Sequence, residues 1–337
     1  ILFPGVNSAV SVYQPSDSRL RMEYYRLEDG KRISSLEWET EYIPDSMVAA
    51  NTTVFFLTYD SGFDKNVIYC WDPAKDPLID HRCYTGIYYS RENPDEEGLL
   101  RCQTYANIIG QQHGIDIKIG KAATAVQPWD YDLEAEYLVP ILEEELRLLD
   151  QRLSHYPDSM LADTAAHFSS LTICLVRSIT GSAESGSLEA ANGIQFFDGT
   201  DAYVVIAPGK FAGQALYHEM FHAMETHLLN QNTALDRWEE LNPTGFRYDY
   251  NYVTNKTRDA GIYLRKENRA FVDTYSMSFP KEDKARVMEY AMLPEQEALF
   301  QSPTMQAKLQ TLCDSLRKAY RLTDIEKTYL WEQYLNK

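Results

Sequence analysis

Residues 218–222 read His218-Glu219-Met220-Phe221-His222. Residues four apart on a helix share one face, so both imidazoles can reach a single metal ion. Imidazole nitrogen suits zinc, and a catalytic zinc keeps one position open for water. Glu219 stands at the edge of the same face, placed to take a proton from a water whose pKa the metal has lowered. His218 and His222 are therefore the candidate zinc ligands and Glu219 the candidate general base. Tyr217, Phe221, Met224 and Leu228 form an apolar stripe beside the motif, which predicts a buried helix. Buried histidines and a buried glutamate need partners, and one metal ion is the simplest partner for all three. A pair of satisfied core histidines is the competing reading.

The third ligand sets the subclass. The metzincin extension needs a glycine three residues, and a histidine six residues, after the second motif histidine. Glu225 and Leu228 occupy those places and His227 is one residue out of register, so that branch is excluded. A carboxylate from a later helix is the other common solution. Ser278-Phe279-Pro280-Lys281-Glu282-Asp283-Lys284-Ala285 reads as a helix start, with Ser278 as cap candidate and Pro280 in the first turn. Ala285, Met288 and Met292 give this helix a packing face, and the small Ala285 lets it approach the zinc helix closely. Glu282 is the favoured ligand, with Asp283, Glu289 and Asp273 as competitors. A carboxylate that only complements the helix dipole is the plain alternative.

His218–His222 followed by Glu282-Asp283-x-Ala285 resembles the zincin metallopeptidases of the gluzincin type. The chain is especially similar to secreted zinc-binding peptidases of gut bacteria, in which HExxH is followed by Trp-x-x-Leu-Asn-Pro and then a Glu-Asp-x-Ala helix. Here the middle segment is Trp238-Glu239-Glu240-Leu241-Asn242-Pro243. The resemblance covers about Asn93 to the C-terminus and leaves the first ~90 residues uncovered. It implies one catalytic Zn2+ on His218, His222 and Glu282, with Glu219 as base. It also implies that a strand shortly before the zinc helix forms a sheet edge, where a peptide or protein substrate adds as a further strand; Gly193–Phe197 is the candidate. Glu225 matches an acidic position of this group and is a candidate to orient a ligand histidine, or else a solvated glutamate. The charge that develops on an attacked carbonyl needs a donor. Tyr275, just before the Glu282 helix, is the first candidate, with Tyr248 and Tyr250 behind it.

These residues need elements to hold them. Pro94–His113 reads as a helix stopped by Gly114, and Ile115–Ile119 alternates as a strand. Asp132–Leu153 has helical spacing interrupted by Pro140. Strands are expected at Ser170–Ile179, Gly193–Phe197 and Ala202–Ala207, the last two joined by the turn Asp198-Gly199-Thr200-Asp201. Pro208-Gly209 then opens a helix over Lys210–Leu229, and Pro303–Tyr320 is an amphipathic helix. Gly181–Gly186 continues a strand into a loop. Before Asn93 the chain is β-rich, with runs at Thr53–Thr58, Asn66–Trp71 and Gly86–Tyr89. The expected architecture is α+β: residues 1–92 as a small β-rich region and 93–337 as a zincin-like domain with a mixed sheet.

The chain has 337 residues, 44% of them apolar, and a net charge of −18. Such a chain can bury a core, and its charge argues against nucleic acid and anionic membranes as partners. No apolar run approaches the ~18 residues of a spanning helix. The first residue is Ile1, consistent with an extracellular or envelope-associated protein whose signal peptide or lipid anchor has been removed. Cys70 and Cys83 flank a loop and form a disulfide candidate beside the alternative of reduced thiols. Asn51-Thr52-Thr53 and Asn255-Lys256-Thr257 are glycosylation sequons. The expected function is hydrolysis of peptide bonds by a zinc-activated water. The alternative is a non-catalytic surface-binding protein with a structural or inactive zincin domain.

Overall fold

A computed structural model of the chain describes residues 8–16, 19–39, 46–50, 53–60, 65–71, 82–84, 94–182, 190–231, 233–254 and 260–335. The chain divides into two compact units, Ile1–Asn93 and Pro94–Lys337.

The first unit holds two antiparallel meanders. One joins β1 (Ser8–Ser16), β2 (Arg19–Arg26) and β3 (Arg32–Glu39); the other joins β4 (Ser46–Ala50), β5 (Thr53–Asp60), β6 (Lys65–Trp71) and β7 (Arg82–Tyr84). Cys70 and Cys83 lie on the neighbouring strands β6 and β7. Their side chains, the run 86–89 and the asparagines of both sequons fall outside what the structure describes. Cys102, Cys174 and Cys313 are free and buried.

The second unit is built around β10 (Ser170–Gly181). Its first half pairs in parallel with β8 (Asp116–Lys118) on one side and with β13 (Asp201–Ile206) on the other. Its second half pairs antiparallel with β9 (Tyr131–Ala135) and β11 (Ala190–Ala191). β12 (Gly193–Asp198) runs antiparallel along the outer side of β13 and ends the sheet. The sheet is thus mixed, as expected. The segment 171–176 reads Leu-Thr-Ile-Cys-Leu-Val because both faces of β10 are covered. One face, with Leu171, Ile173, Val204 and Ile206, belongs to the main core shared with the helices. The other, with Cys174, Val176, Tyr203 and Val205, is roofed by Ala123, Val126, Tyr131 and Leu133.

α1 (Glu96–His113) starts at Asp95, whose side chain accepts from Gly98 N, and stops at Gly114 with φ 70°, a backbone only glycine enters without strain. The helix expected over 132–153 is two elements. Tyr131–Ala135 is recruited as β9, and the helix α3 (Val139–Leu153) begins with Pro140 in its first turn. The proline is a start and not an interruption, because the first-turn N–H has no intrahelical acceptor to lose. Three short helices, α2 (Gly120–Ala123), α4 (Asp158–Ala165) and α6 (Ala260–Tyr263), are ones the sequence did not signal. The β12–β13 hairpin turns through Gly199, φ 60°. α5 (Ala212–Asn230) carries the His-Glu-x-x-His motif and packs on β12 and β13. α7 (Pro280–Ala291) packs between α5 and α8 (Pro303–Ala319). Its cap is Phe279, not Ser278, whose hydroxyl instead donates to the Tyr275 carbonyl.

Candidate metal centre

α5 is buried nearly all round: Leu216, Tyr217, Met220, Phe221, Met224 and Leu228 all enter the core. That leaves His218, Glu219 and His222 on the strip facing α7 and the sheet edge. α7 brings Glu282 to the same strip from its first turn, and Ala285, fully buried, lies one turn further along.

Three ligand atoms meet there. His218 Nε2 and His222 Nε2 are 3.1 Å apart, and Glu282 Oε2 lies 3.0 Å from the first and 3.3 Å from the second. The imidazoles stand nearly perpendicular, at 81°. A tetrahedral ion with ligand bonds near 2.0 Å has ligand–ligand edges of about 3.3 Å. Two imidazole nitrogens and one carboxylate oxygen in such a triangle suit a divalent ion of the zinc type. The His218 Nδ1 sits 3.1 Å from Glu289 Oε2. An Nδ1–H donated to Glu289 would leave the Nε2 of a neutral His218 bare for an ion. Arg286 holds Glu289 through both carboxylate oxygens, at 2.9 and 2.7 Å, and reaches Asp273 at 3.0 Å.

The competitors for the third ligand thus have other occupations. Glu289 supports His218 from behind. Asp273 accepts from Ser276 N at 2.8 Å and caps the turn that carries Tyr275. Asp283 points into the core, where one oxygen accepts from Trp238 Nε1 (2.8 Å), Tyr248 OH (2.7 Å) and Lys308 Nζ (2.6 Å). Burial pushes the Asp283 carboxyl up and the Lys308 ammonium down. Asn242 Nδ2 donates to Tyr248 OH, so the Trp238–Pro243 segment is anchored to α7 through Asp283.

Glu225 does not orient a histidine. It pairs with the buried Lys284 and ties α5 to α7. Of the three tyrosines, Tyr248 is committed to Asp283 and Tyr250 is half exposed, against Phe279. Tyr275 lines the site, with its ring 6.1 Å from that of His218 and the Arg286 guanidinium 5.2 Å over it. Burial, the charges of Glu282 and Glu219 and a hydrogen bond to Glu282 push its hydroxyl well up, so it remains a donor.

Electrostatics follow from this packing. Burial would lower the His218 pKa, but hydrogen bonds to Glu282 and Glu289 and the charge of Glu219 outweigh it and raise it to about 9. Burial works upward on Glu282, yet the two imidazoles hold its carboxyl well below the usual range. Glu219 is pushed up, first by burial, with the two histidines opposing.

A cavity of about 890 Å³ opens along β12 and reaches His218, Glu219, His222 and Glu282. A second, of about 480 Å³, continues past Glu219 toward Gln214, Arg286 and Tyr290. Gly193 opens β12 at the junction of the two. A Cβ there would come within 2.9 Å of Ala215 Cβ and 3.0 Å of Glu219 Cγ, so glycine lets the strand run directly over the motif. The Asn192 carbonyl accepts from Ala207 N. By antiparallel alternation, Ile194 and Phe196 face β13, while Gly193, Gln195 and Phe197 turn their N–H and C=O groups outward. Neither Gly193 nor Arg286 stood out in the sequence. Glu282, Arg286 and Glu289 share one helix face by spacing, a signal that could have pointed to the second.

No family model matches the sequence, and no curated protein matches it. Among solved structures, the chain is similar to a candidate zinc-binding metallo-peptidase from Bacteroides caccae, at 15% identity and a TM-score of 0.45, over 71% of this chain and 94% of that one. The functional reading rests on the site's own geometry.

Proposed function

We propose that the chain is a zinc-dependent peptidase that hydrolyses a peptide bound along β12. The observation that carries this reading is the triangle of His218, His222 and Glu282, closed to within 3.3 Å beside a buried glutamate and an open strand edge. A zinc ion held by these three residues supplies the Lewis acidity that activates water and polarises a carbonyl. The outward backbone groups of Gly193, Gln195 and Phe197 fix an extended substrate by main-chain hydrogen bonds. Glu219, under Gly193, takes the proton of the attacking water and delivers it to the leaving amine. Its raised pKa brings the carboxyl nearer the range in which it can both accept and return a proton. Tyr275 OH donates to the oxygen on which charge develops. Glu289 holds His218 in the ligating tautomer.

The test is metal analysis joined to cleavage of a proteome-derived peptide library. About one zinc per chain is expected. Glu219→Gln should keep the zinc and lose activity by about two to four orders of magnitude. Full activity in that variant sinks the mechanism; zinc bound with no cleavage at all favours a non-catalytic binding protein.

A further inference from the structure

The larger cavity has a wall whose chemistry the hydrolytic residues do not use. Side chains of β12 alternate between two faces. Gly193, Gln195 and Phe197 stand opposite Ile206, Val204 and Ala202, on the α5 side. Ile194 and Phe196 stand opposite Val205 and Tyr203, on the outer face. Phe196 lies flat on Tyr203, with centroids 5.0 Å apart and planes at 11°. The segment before β9 crosses that outer face: Val126 packs on its core, and Trp129, 74% exposed, lines the same cavity as Phe196. Trp71, Trp238 and Trp331 are all fully buried.

From this we propose that Trp129, Phe196 and Val126 form a specificity subsite for a large apolar side chain of the substrate, about three residues from the scissile bond. The inference rests on the peptidase reading and adds a substrate class to it: peptides with Leu, Phe or Met at that one position. A peptide paired to β12 places the side chain opposite Phe196 on the same face as Phe196, because side chains of paired residues share a face. That side chain enters the part of the cavity lined by Phe196, Trp129 and Val126 and removes apolar surface from water. Phe196 is three residues along the strand from Gly193, and so roughly 10 Å from Glu219 at 3.3 Å per residue. The carboxylates of Asp130 and Asp198 also line the groove, at the Trp129 and Phe197 ends, and disfavour an acidic residue at this position.

The probe is a set of capped, dye-labelled octapeptides of Ala, Gly and Ser carrying a single Leu, Phe, Ala or Asp. Binding is read by fluorescence anisotropy on zinc-loaded Glu219→Gln protein, where cleavage is slowed by about two to four orders of magnitude. The Leu and Phe peptides should bind at least about tenfold tighter than the Ala peptide, since even one methylene in an apolar subsite discriminates by about that factor. The Asp peptide should bind weakest. Adding Trp129→Ala, a change at an exposed position that leaves the core intact, should collapse the Leu-to-Ala ratio toward one. No binding of any peptide, equal binding of the Leu and Ala peptides, or a ratio unaffected by Trp129→Ala overturns the subsite. Failure of the peptidase reading shows separately, as missing zinc or as cleavage that does not depend on Glu219.

Discussion

Replacing Glu289 tests the metal centre from behind. Glu289 contacts no ion in the proposed arrangement; its Oε2 accepts from His218 Nδ1 at 3.1 Å, and both residues are almost fully buried. Removing such an outer carboxylate costs roughly 10–100-fold in metal affinity. That is about 1.4–2.8 kcal/mol. Glu289→Gln keeps an acceptor of the same shape and loses only the charge, so the loss should fall near the tenfold end. Glu289→Leu removes the acceptor and leaves Arg286 with Asp273 as its remaining carboxylate, which places it near the hundredfold end. Glu282→Gln removes a charged ligand itself and should exceed both. The assay is competition for zinc against a chromogenic chelator at fixed pH, checked by the visible spectrum of the cobalt-substituted protein. Unchanged affinity in Glu289→Gln refutes the orienting role. A larger loss in Glu289→Gln than in Glu282→Gln identifies Glu289 as the ligand and reverses the assignment.

Zinc binding should be pH-dependent. In protein stripped by a chelator, the ion must displace the His218 proton, so apparent affinity should climb about tenfold per pH unit from pH 6.5 toward 9 and flatten above it; a flat profile by the same competition assay contradicts this. The stripped protein should behave in the opposite sense. His218 has a folded pKa of about 9 against 6.5 unfolded, so its contribution to stability is full below 6.5 and is lost as pH rises through 9, readable in urea midpoints. Gly193→Ala should push β12 off α5, costing about 1–3 kcal/mol in urea unfolding and lowering activity; wild-type values for both count against the close approach. Lys308→Met leaves Asp283 buried without its cation and should cost about 3–5 kcal/mol by the same measurement, whereas a loss under 1 kcal/mol indicates that Asp283 is neutral there.

The parts of this site that were legible in the sequence are those set by local geometry. Four-residue spacing on a helix placed His218 and His222 together, and Pro280 in the first turn marked the start of α7. Strand alternation and a Gly-containing turn located β12 and β13. The parts that were not legible depend on what lies across space. Tyr131–Ala135 has helical neighbours, and only pairing with the far half of β10 makes it a strand. Glu225 looked available to a histidine because nothing in the sequence shows that Lys284 is buried opposite it. Trp129 sits in a Pro-Trp-Asp loop without periodicity, and it comes to line one cavity with Phe196 only once the loop crosses the sheet.

The adjacent acids Glu282 and Asp283 show how such distant contacts aim a local motif. Neighbouring residues on a helix point about 100° apart, so if one faces the two histidines the other cannot. Asp283 is held from three directions, by Trp238, Tyr248 and Lys308, and Lys308 also donates to the Ala270 carbonyl. These bonds fix the rotation of α7 about its axis. With that rotation fixed, Glu282 must face α5, and Glu289, seven residues on and therefore on the same face, must arrive beside His218. A rotation of α7 by one residue would bring Asp283 to the two histidines, turn Glu282 to the exposed position of Lys281 and drive Lys284 among Trp238, Phe271 and Lys308. The buried Lys308–Asp283 pair therefore decides which acid faces His218 and His222, although Lys308 itself contacts neither histidine.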